Sequence, residues 1–141
     1  MNCYEKVLCR SSYFVYYNKF KHTKGIIMEY REDIELPVDI NTAIWICREA
    51  IAEVNWRVFA NKSNYILCKE LFPQITSCIW PVQIEITMSS LGKCKSKILL
   101  SGSIFGLGPI QYGHLRGQVG NLHNRILVCW HRSNPASDVD I

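Results

Sequence analysis

Residues 81–109 run PVQIEITMSSLGKCKSKILLSGSIFGLGP and contain the pattern that decides the fold. In Val82–Met88, apolar side chains alternate with Gln, Glu and Thr, which is typical of a strand with one buried face. Gly92 suits a turn, and Cys94–Phe105 then predicts a second strand that pairs back on the first. Pro109 follows, and proline is favoured at the first position of a helix. The stretch therefore predicts an antiparallel hairpin that leads into a helix.

Downstream of the hairpin, the spacing of apolar residues predicts a helix from Pro109 to Trp130. Its buried stripe consists of residues three or four apart: Leu115, Val119, Leu122 and Ile126. Three glycines interrupt the same segment and lower its helix propensity. We expect them to let the helix lie close on the sheet; they are Gly113, Gly117 and Gly120.

Upstream of the hairpin, Glu29–Leu36 alternates and predicts a strand whose inward set is Tyr30, Glu32, Ile34 and Leu36. An amphipathic helix follows, with Asp39 or Asn41 as its N-cap. The side chains expected to face the sheet from this helix are Ala43, Ile44, Cys47, Ala50, Ile51 and Val54. Two short strands are predicted next, over Trp56–Ala60 and Tyr65–Leu71.

These elements give the order strand, helix, four strands, helix. One mostly antiparallel sheet of about five strands, with both helices on one face, would bury every apolar stripe. The predicted fold class is therefore α+β, a two-layer sandwich with the order β-α-β-β-β-β-α.

The length of 141 residues suits one domain. Residues 1–27 are basic and aromatic and lack a sustained period, so we interpret them as an extension outside the core, dispensable for folding. An upstream start codon and a genuine basic-aromatic arm both account for this composition. The domain is expected over 28–132, and residues 133–141 form a polar tail.

Positive charge is concentrated in the C-terminal part of the predicted domain. Residues 91–132 carry six Lys and Arg and no Asp or Glu. A one-signed segment attracts opposite charge, so we predict a surface that meets an acidic protein. Its residues are Lys93, Lys95, Lys97, Arg116 and Arg125. We do not expect nucleic acid as the partner, because residues 28–141 are neutral overall.

The seven cysteines are odd in number and form no CxxC pair. Several fall at core positions, and free buried cysteines are common in reducing compartments, so a cytoplasmic location is expected. No membrane span is predicted, since the longest uncharged run, Ile98–Leu115, contains glycines, a proline and a histidine.

The glycine-rich junction between the hairpin and the last helix is one candidate for chemistry. A helix N-terminus can hold an anion, so Gly106 and Gly108 mark either an anion site or a tight turn. Neither the phosphate-loop nor the dinucleotide pattern is present, and the turn is favoured. No cofactor is predicted.

Histidines and cysteines offer two further candidates. His114, His123, Cys129 and His131 include metal-ligand types, but the spacing supplies no clear set of four, and no metal site is predicted. A cysteine nucleophile with His114 or His123 as base has no local signature, and residues 91–132 contain no carboxylate to orient either histidine. We predict no catalytic residue.

Large aromatic residues could line a cavity between sheet and helices or simply fill the core: Trp45, Trp56, Trp80 and Phe105. The first functional hypothesis is a non-catalytic binding or accessory module. The alternative is a small-molecule-binding protein with an apolar pocket between sheet and helices, and a cysteine-dependent enzyme is third. Ligand, pathway and oligomeric state are left open by the sequence.

Residues Ile98–Ile126 resemble the end of small uncharacterised bacterial α+β domains. The shared features are a strand ending near Ser101, a glycine-bearing loop at Gly106 and Gly108, and the pair Asn124-Arg125 in a closing helix. The strand start Trp56-Arg57-Val58 is similar too. The likeness spans about half the chain, and the aspartate often found in that loop is missing here. It implies the fold and no activity.

Overall fold

The computed structural model describes residues 9–18, 25–71, 81–106 and 108–133. The elements along these residues are β1 (Cys9–Asn18), β2 (Gly25–Leu36), α1 (Ile40–Val54), β3 (Arg57–Lys62), β4 (Tyr65–Lys69), β5 (Gln83–Gly92), β6 (Lys95–Phe105) and α2 (Pro109–Ser133). All neighbouring strands are antiparallel, in the order β1-β2-β6-β5-β4-β3. Both helices pack against the sheet and against each other. The predicted α+β class and the element order from β2 onward are confirmed.

The N-terminal stretch adds one strand to the sheet that was predicted. β1 pairs with β2 along its whole length, from Cys9 opposite Ile34 to Asn18 opposite Gly25. The expected domain boundary at Met28 therefore falls inside β2. An unbroken run of aromatic and β-branched residues, Tyr13–Tyr17, has high strand propensity but no alternation, which is why its periodicity gave no signal. Whether residues 1–27 are dispensable for folding stays a prediction.

The inner face of the sheet carries the alternating side chains that the sequence predicted. Fully or almost fully buried side chains in β2, β5 and β6 include Met28, Ile34, Leu36, Ile84, Ile86, Met88, Ile98 and Leu100. α2 covers them with its predicted stripe, in which Leu115, Val119, Leu122 and Ile126 are all buried. Burial of each such side chain stabilises the fold by about 1.5–3 kcal/mol.

α1 lies beside α2 on the same face. Asp39 is its N-cap, and the Thr42 hydroxyl donates a hydrogen bond to the Asp39 carboxylate. The predicted inward residues Ala43, Cys47, Ala50 and Ile51 are buried. Two other predicted residues, Ile44 and Val54, are only partly buried, and Ile46 takes an inward position that the prediction left out.

The close approach of α2 to the sheet depends on a strand glycine. A Cβ added at Gly102 of β6 would lie 2.5 Å from Val119 Cγ2 and 3.0 Å from Leu115 Cδ1. By contrast, one added at Gly113, Gly117 or Gly120 would meet nothing within 4 Å. The expectation that the helix glycines permit the close packing is therefore wrong, because they do not point at the sheet.

The junction between β6 and α2 turns through left-handed backbone. Gly106 has φ +110° and Gly108 has φ +145°, which side-chain-bearing residues rarely adopt. The Gln111 side chain lies against both glycines, and the Tyr112 N–H donates to the Gly108 carbonyl at 2.9 Å to begin the helix. The turn interpretation of these two glycines accounts for this geometry, and an anion at the junction stays untested.

Among the residues that the structure describes, Cys47, Cys68 and Cys129 are buried and free. Burial raises the pKa of the Cys68 thiol to about 12, and it raises the pKa of Cys47 strongly as well. Cys94, in the turn between β5 and β6, is instead disulfide-bonded. Disulfides are typical of oxidising compartments, and the cytoplasmic location stays a prediction.

Candidate functional site

The structure divides the predicted partner surface between two places. Lys93, Lys95 and Lys97 lie at the β5–β6 hairpin, and Lys97 points to the outer face of the sheet. Arg116 and Arg125 lie on α2, which covers the inner face. The five cations therefore do not form one continuous surface. The prediction grouped these residues because they are close along the sequence, but the fold places them on different parts of the molecule.

Two of the three hairpin lysines, Lys95 and Lys97, are balanced by acids of the neighbouring strand. Lys95 Nζ lies 3.4 Å from Glu35 Oε2, and Lys97 Nζ lies 3.6 Å from Asp33 Oδ2. These pairs follow from the β2–β6 register, which sets Glu35 opposite Lys97. The charges of Lys95 and Lys97 are thus locally neutralised on the folded sheet.

The two arginines of α2 project to opposite flanks of the helix. They are nine residues apart, or about two and a half turns. Arg125 is on the flank that faces α1, where it lines a groove, and Arg116 is not part of that groove.

The groove between the end of α1 and α2 has a volume of about 420 Å³. Its lining consists of Glu53, Val54, Trp56, Gln118, Asn121, Asn124, Arg125 and Val128. Such a volume lies in the range of small-ligand sites, about 300–1,000 Å³. The lining contains polar and apolar side chains, so the groove can form hydrogen bonds with a ligand and can also cover apolar parts of it.

Local sequence explains how the groove is built. Asn55 ends α1 in a left-handed conformation with φ 60°, which asparagine tolerates better than most residues. The Trp56 N–H donates to the Ile51 carbonyl at 3.4 Å, and this hydrogen bond holds the Trp56 backbone next to the last turn of α1. On α2, spacings of three and four residues align Gln118, Asn121 and Arg125 along one flank.

A charged network closes one side of the groove. Arg132 Nη2 lies 2.6 and 2.8 Å from the two carboxylate oxygens of Glu53. The Cys129 thiol donates to the same carboxylate at 2.8 Å. The hydrogen bond from Arg132, then the one from Cys129, lower the pKa of Glu53, and the nearby charge of Arg125 adds to this effect. Glu53 therefore lines the groove as an ionised carboxylate that is already paired with Arg132 and Cys129.

The remaining polar groups of the groove are not used by the fold. Within the described residues, the side chains of Gln118, Asn121, Asn124 and Arg125 make no hydrogen bond, and Arg125 makes no ion pair. A guanidinium offers five N–H donors, and each amide offers donors and acceptors. Their hydrogen-bonding capacity faces solvent or a ligand.

Two histidines of α2 are held by carboxylates from other segments. His123 Nδ1 lies 2.8 Å from Glu32 Oε1 in the core, and His114 Nε2 lies 2.5 Å from Glu70 Oε1. Glu70 also accepts the Val82 N–H at 2.8 Å, which ties the start of β5 to the helix. Residues 91–132 contain no carboxylate, and both partners come from far upstream, so this segment alone did not indicate them. The inward position of Glu32 in the alternating strand was the available signal.

The part of the chain that the structure describes contains no metal cluster, and the polar partners of Cys129 there do not include a histidine. That part holds no group of three or more His, Cys, Asp or Glu side chains arranged to bind a metal. The polar partners of Cys129 there are Glu53 and Arg132. Burial, the largest cause, raises the pKa of Cys129, which does not favour a reactive thiolate.

The aromatic residues expected to line one cavity are dispersed. Trp45 is 51% exposed, and Trp56 lines the groove. Phe105 lines a smaller depression of about 210 Å³ on the outer face of the sheet. Trp80 lies outside the described residues. Neither depression lies between the sheet and the helices.

Neither described helix is long and apolar enough to cross a bilayer. No family model matches the chain, and no curated protein matches it. Among solved structures, it is similar to the Zhui aromatase/cyclase from Streptomyces sp. R1128, with a TM-score of 0.49, 7% identity and coverage of 78% of this chain and 98% of that one. CalU16 from Micromonospora echinospora is similar too, with a TM-score of 0.48, 7% identity and coverage of 84% and 95%. At this level of likeness, neither structure bears on what this chain does.

Proposed function

We propose that this protein is a non-catalytic binding module and that the α1–α2 groove is its binding site. The observation that carries the proposal is the set of groove groups that the fold leaves without partners, Gln118, Asn121, Asn124 and Arg125. Asn121, Asn124 and Arg125 are exposed, so they contribute no hydrogen bond to the core, and they are presented at a concave surface, where groups that recognise a partner are found. The predicted partner surface is thereby reduced to its Arg125 end.

Two alternatives have less support. A cysteine-dependent enzyme needs an accessible thiol of lowered pKa, and Cys47, Cys68 and Cys129 are buried with raised pKa values. An apolar pocket between sheet and helices needs free volume. The described inner-face side chains there are almost fully buried, which favours a packed core.

Filling the groove should abolish capture of the native partner. Asn121 is exposed on α2, so Asn121→Trp would occupy the groove without entering the core. We expect tagged N121W to co-purify less than a tenth of the partner retained by the wild type from the source cells, or about 1.4 kcal/mol or more of lost binding.

Asn64→Trp is the matched control, since Asn64 lies exposed in the turn between β3 and β4, away from the groove. It should retain the partner. Equal capture by wild type and N121W, with both variants folded by circular dichroism, would place the binding site outside the groove.

A further inference from the structure

We infer that the ligand of the α1–α2 groove is a short acidic peptide segment of a partner protein, with an Asp or Glu side chain beside an apolar one. The inference rests on the proposed function and adds the ligand's chemistry to it. It follows from the charge balance of the groove, from the side-chain amides of α2 and from the apolar side chains in the lining.

The charge balance leaves one cation available. The single negative charge in the lining, Glu53, is already paired with Arg132. Arg125 has no hydrogen bond or ion pair among the described residues. The planar guanidinium forms two parallel hydrogen bonds with a carboxylate, which gives direction as well as attraction. An anionic group of the ligand therefore fits at Arg125.

The amides suit a polypeptide backbone. Gln118, Asn121 and Asn124 each present an N–H₂ donor group and a carbonyl acceptor, the same two functions that a peptide unit presents. They line the groove beside Arg125 along about two turns of α2. An extended segment lying along the helix could exchange hydrogen bonds with them while its acidic side chain reaches the arginine.

The apolar lining accounts for the second side chain. Val128 is 46% exposed, and it lines the groove together with Val54 and Trp56, which are partly buried. Covering this surface with an aliphatic or aromatic side chain removes apolar area from water. A ligand that carried only charge would leave this area exposed.

Selection from a phage-displayed library of random dodecapeptides on the full chain tests the inference. The selected peptides should be enriched in an Asp or Glu next to an apolar residue. Arg125→Gln should weaken the binding of those peptides by about ten-fold, as expected for loss of a charge-assisted hydrogen bond. Arg116→Gln is the control, because it removes the same charge from the other flank of α2, and it should leave their affinity within two-fold of the wild type, about 0.4 kcal/mol.

The other outcomes of the selection distinguish a wrong ligand chemistry from a wrong binding site. Acid-free peptides whose binding N121W abolishes would overturn the peptide chemistry and leave the groove as the binding site. Peptides that bind wild type and N121W equally would count against the groove itself. If nothing is enriched over the bare support, the ligand is not a peptide, and the capture experiment alone decides the proposed function.

Discussion

Replacing His123 by leucine should lower the free energy of unfolding by about 3–5 kcal/mol, the range for removing one partner of a buried pair. His123 Nδ1 lies 2.8 Å from Glu32 Oε1, and both residues are buried between α2 and β2. Among the described residues, Glu32 has no other polar side-chain partner. His123→Leu would therefore leave a carboxylate inside the core without its hydrogen bond. Urea denaturation followed by circular dichroism measures the change.

The double variant Glu32→Leu/His123→Leu is the control for this prediction. Removing both partners replaces the pair with apolar groups, so the double variant should be more stable than H123L alone. A double variant as unstable as the sum of the two single variants would show that the two side chains do not interact. A loss below about 0.5 kcal/mol in H123L, the range of ordinary surface changes, would mean that Glu32 is solvated.

Ile51→Ala should lower the free energy of unfolding by about 2–5 kcal/mol, as large-to-small changes in a packed core do. Ile51 is 3% exposed and belongs to the core cluster beneath α1. The loss combines the transfer free energy of the missing carbons with the cavity that they leave. The shift in urea midpoint at constant slope reports it.

Ile110→Ala provides the same chemical change at an exposed position of α2, where the side chain is 66% exposed. Its midpoint should stay within about 0.5 kcal/mol of the wild type. Similar losses at both positions would contradict the assigned inner face of α1.

Periodicity predicted the parts of the fold in which one face is buried. The alternation from Val82 to Met88 and the stripe from Leu115 to Ile126 both mark side chains that the structure places in the core. Burial of one face selects residue type at fixed intervals, so these elements are visible in a single sequence. Ile46 was not predicted to face inward, because the buried stripe of α1 is wider than the set of positions that the three- and four-residue spacing indicated.

Contacts between segments that are distant along the chain could not be predicted from periodicity. The sequence of β1 lacks alternation, and its pairing with β2 cannot be predicted from the periodicity of side chains. The Glu32–His123 pair joins residues 91 positions apart. The partner surface was grouped by position along the chain, whereas the fold pairs Lys95 and Lys97 with acids of β2 and places Arg125 in the groove.

Site-specific photo-crosslinking in the source cells tests the groove as the binding site most directly. A benzophenone amino acid placed at Asn124 would lie in the groove, and the same group at Lys93 would lie at the basic hairpin. The two positions represent the two halves into which the fold divides the predicted partner surface. We predict a discrete adduct of the chain with a second protein from position 124 and none from position 93. An adduct formed only from position 93 would contradict the assignment of binding to the α1–α2 groove.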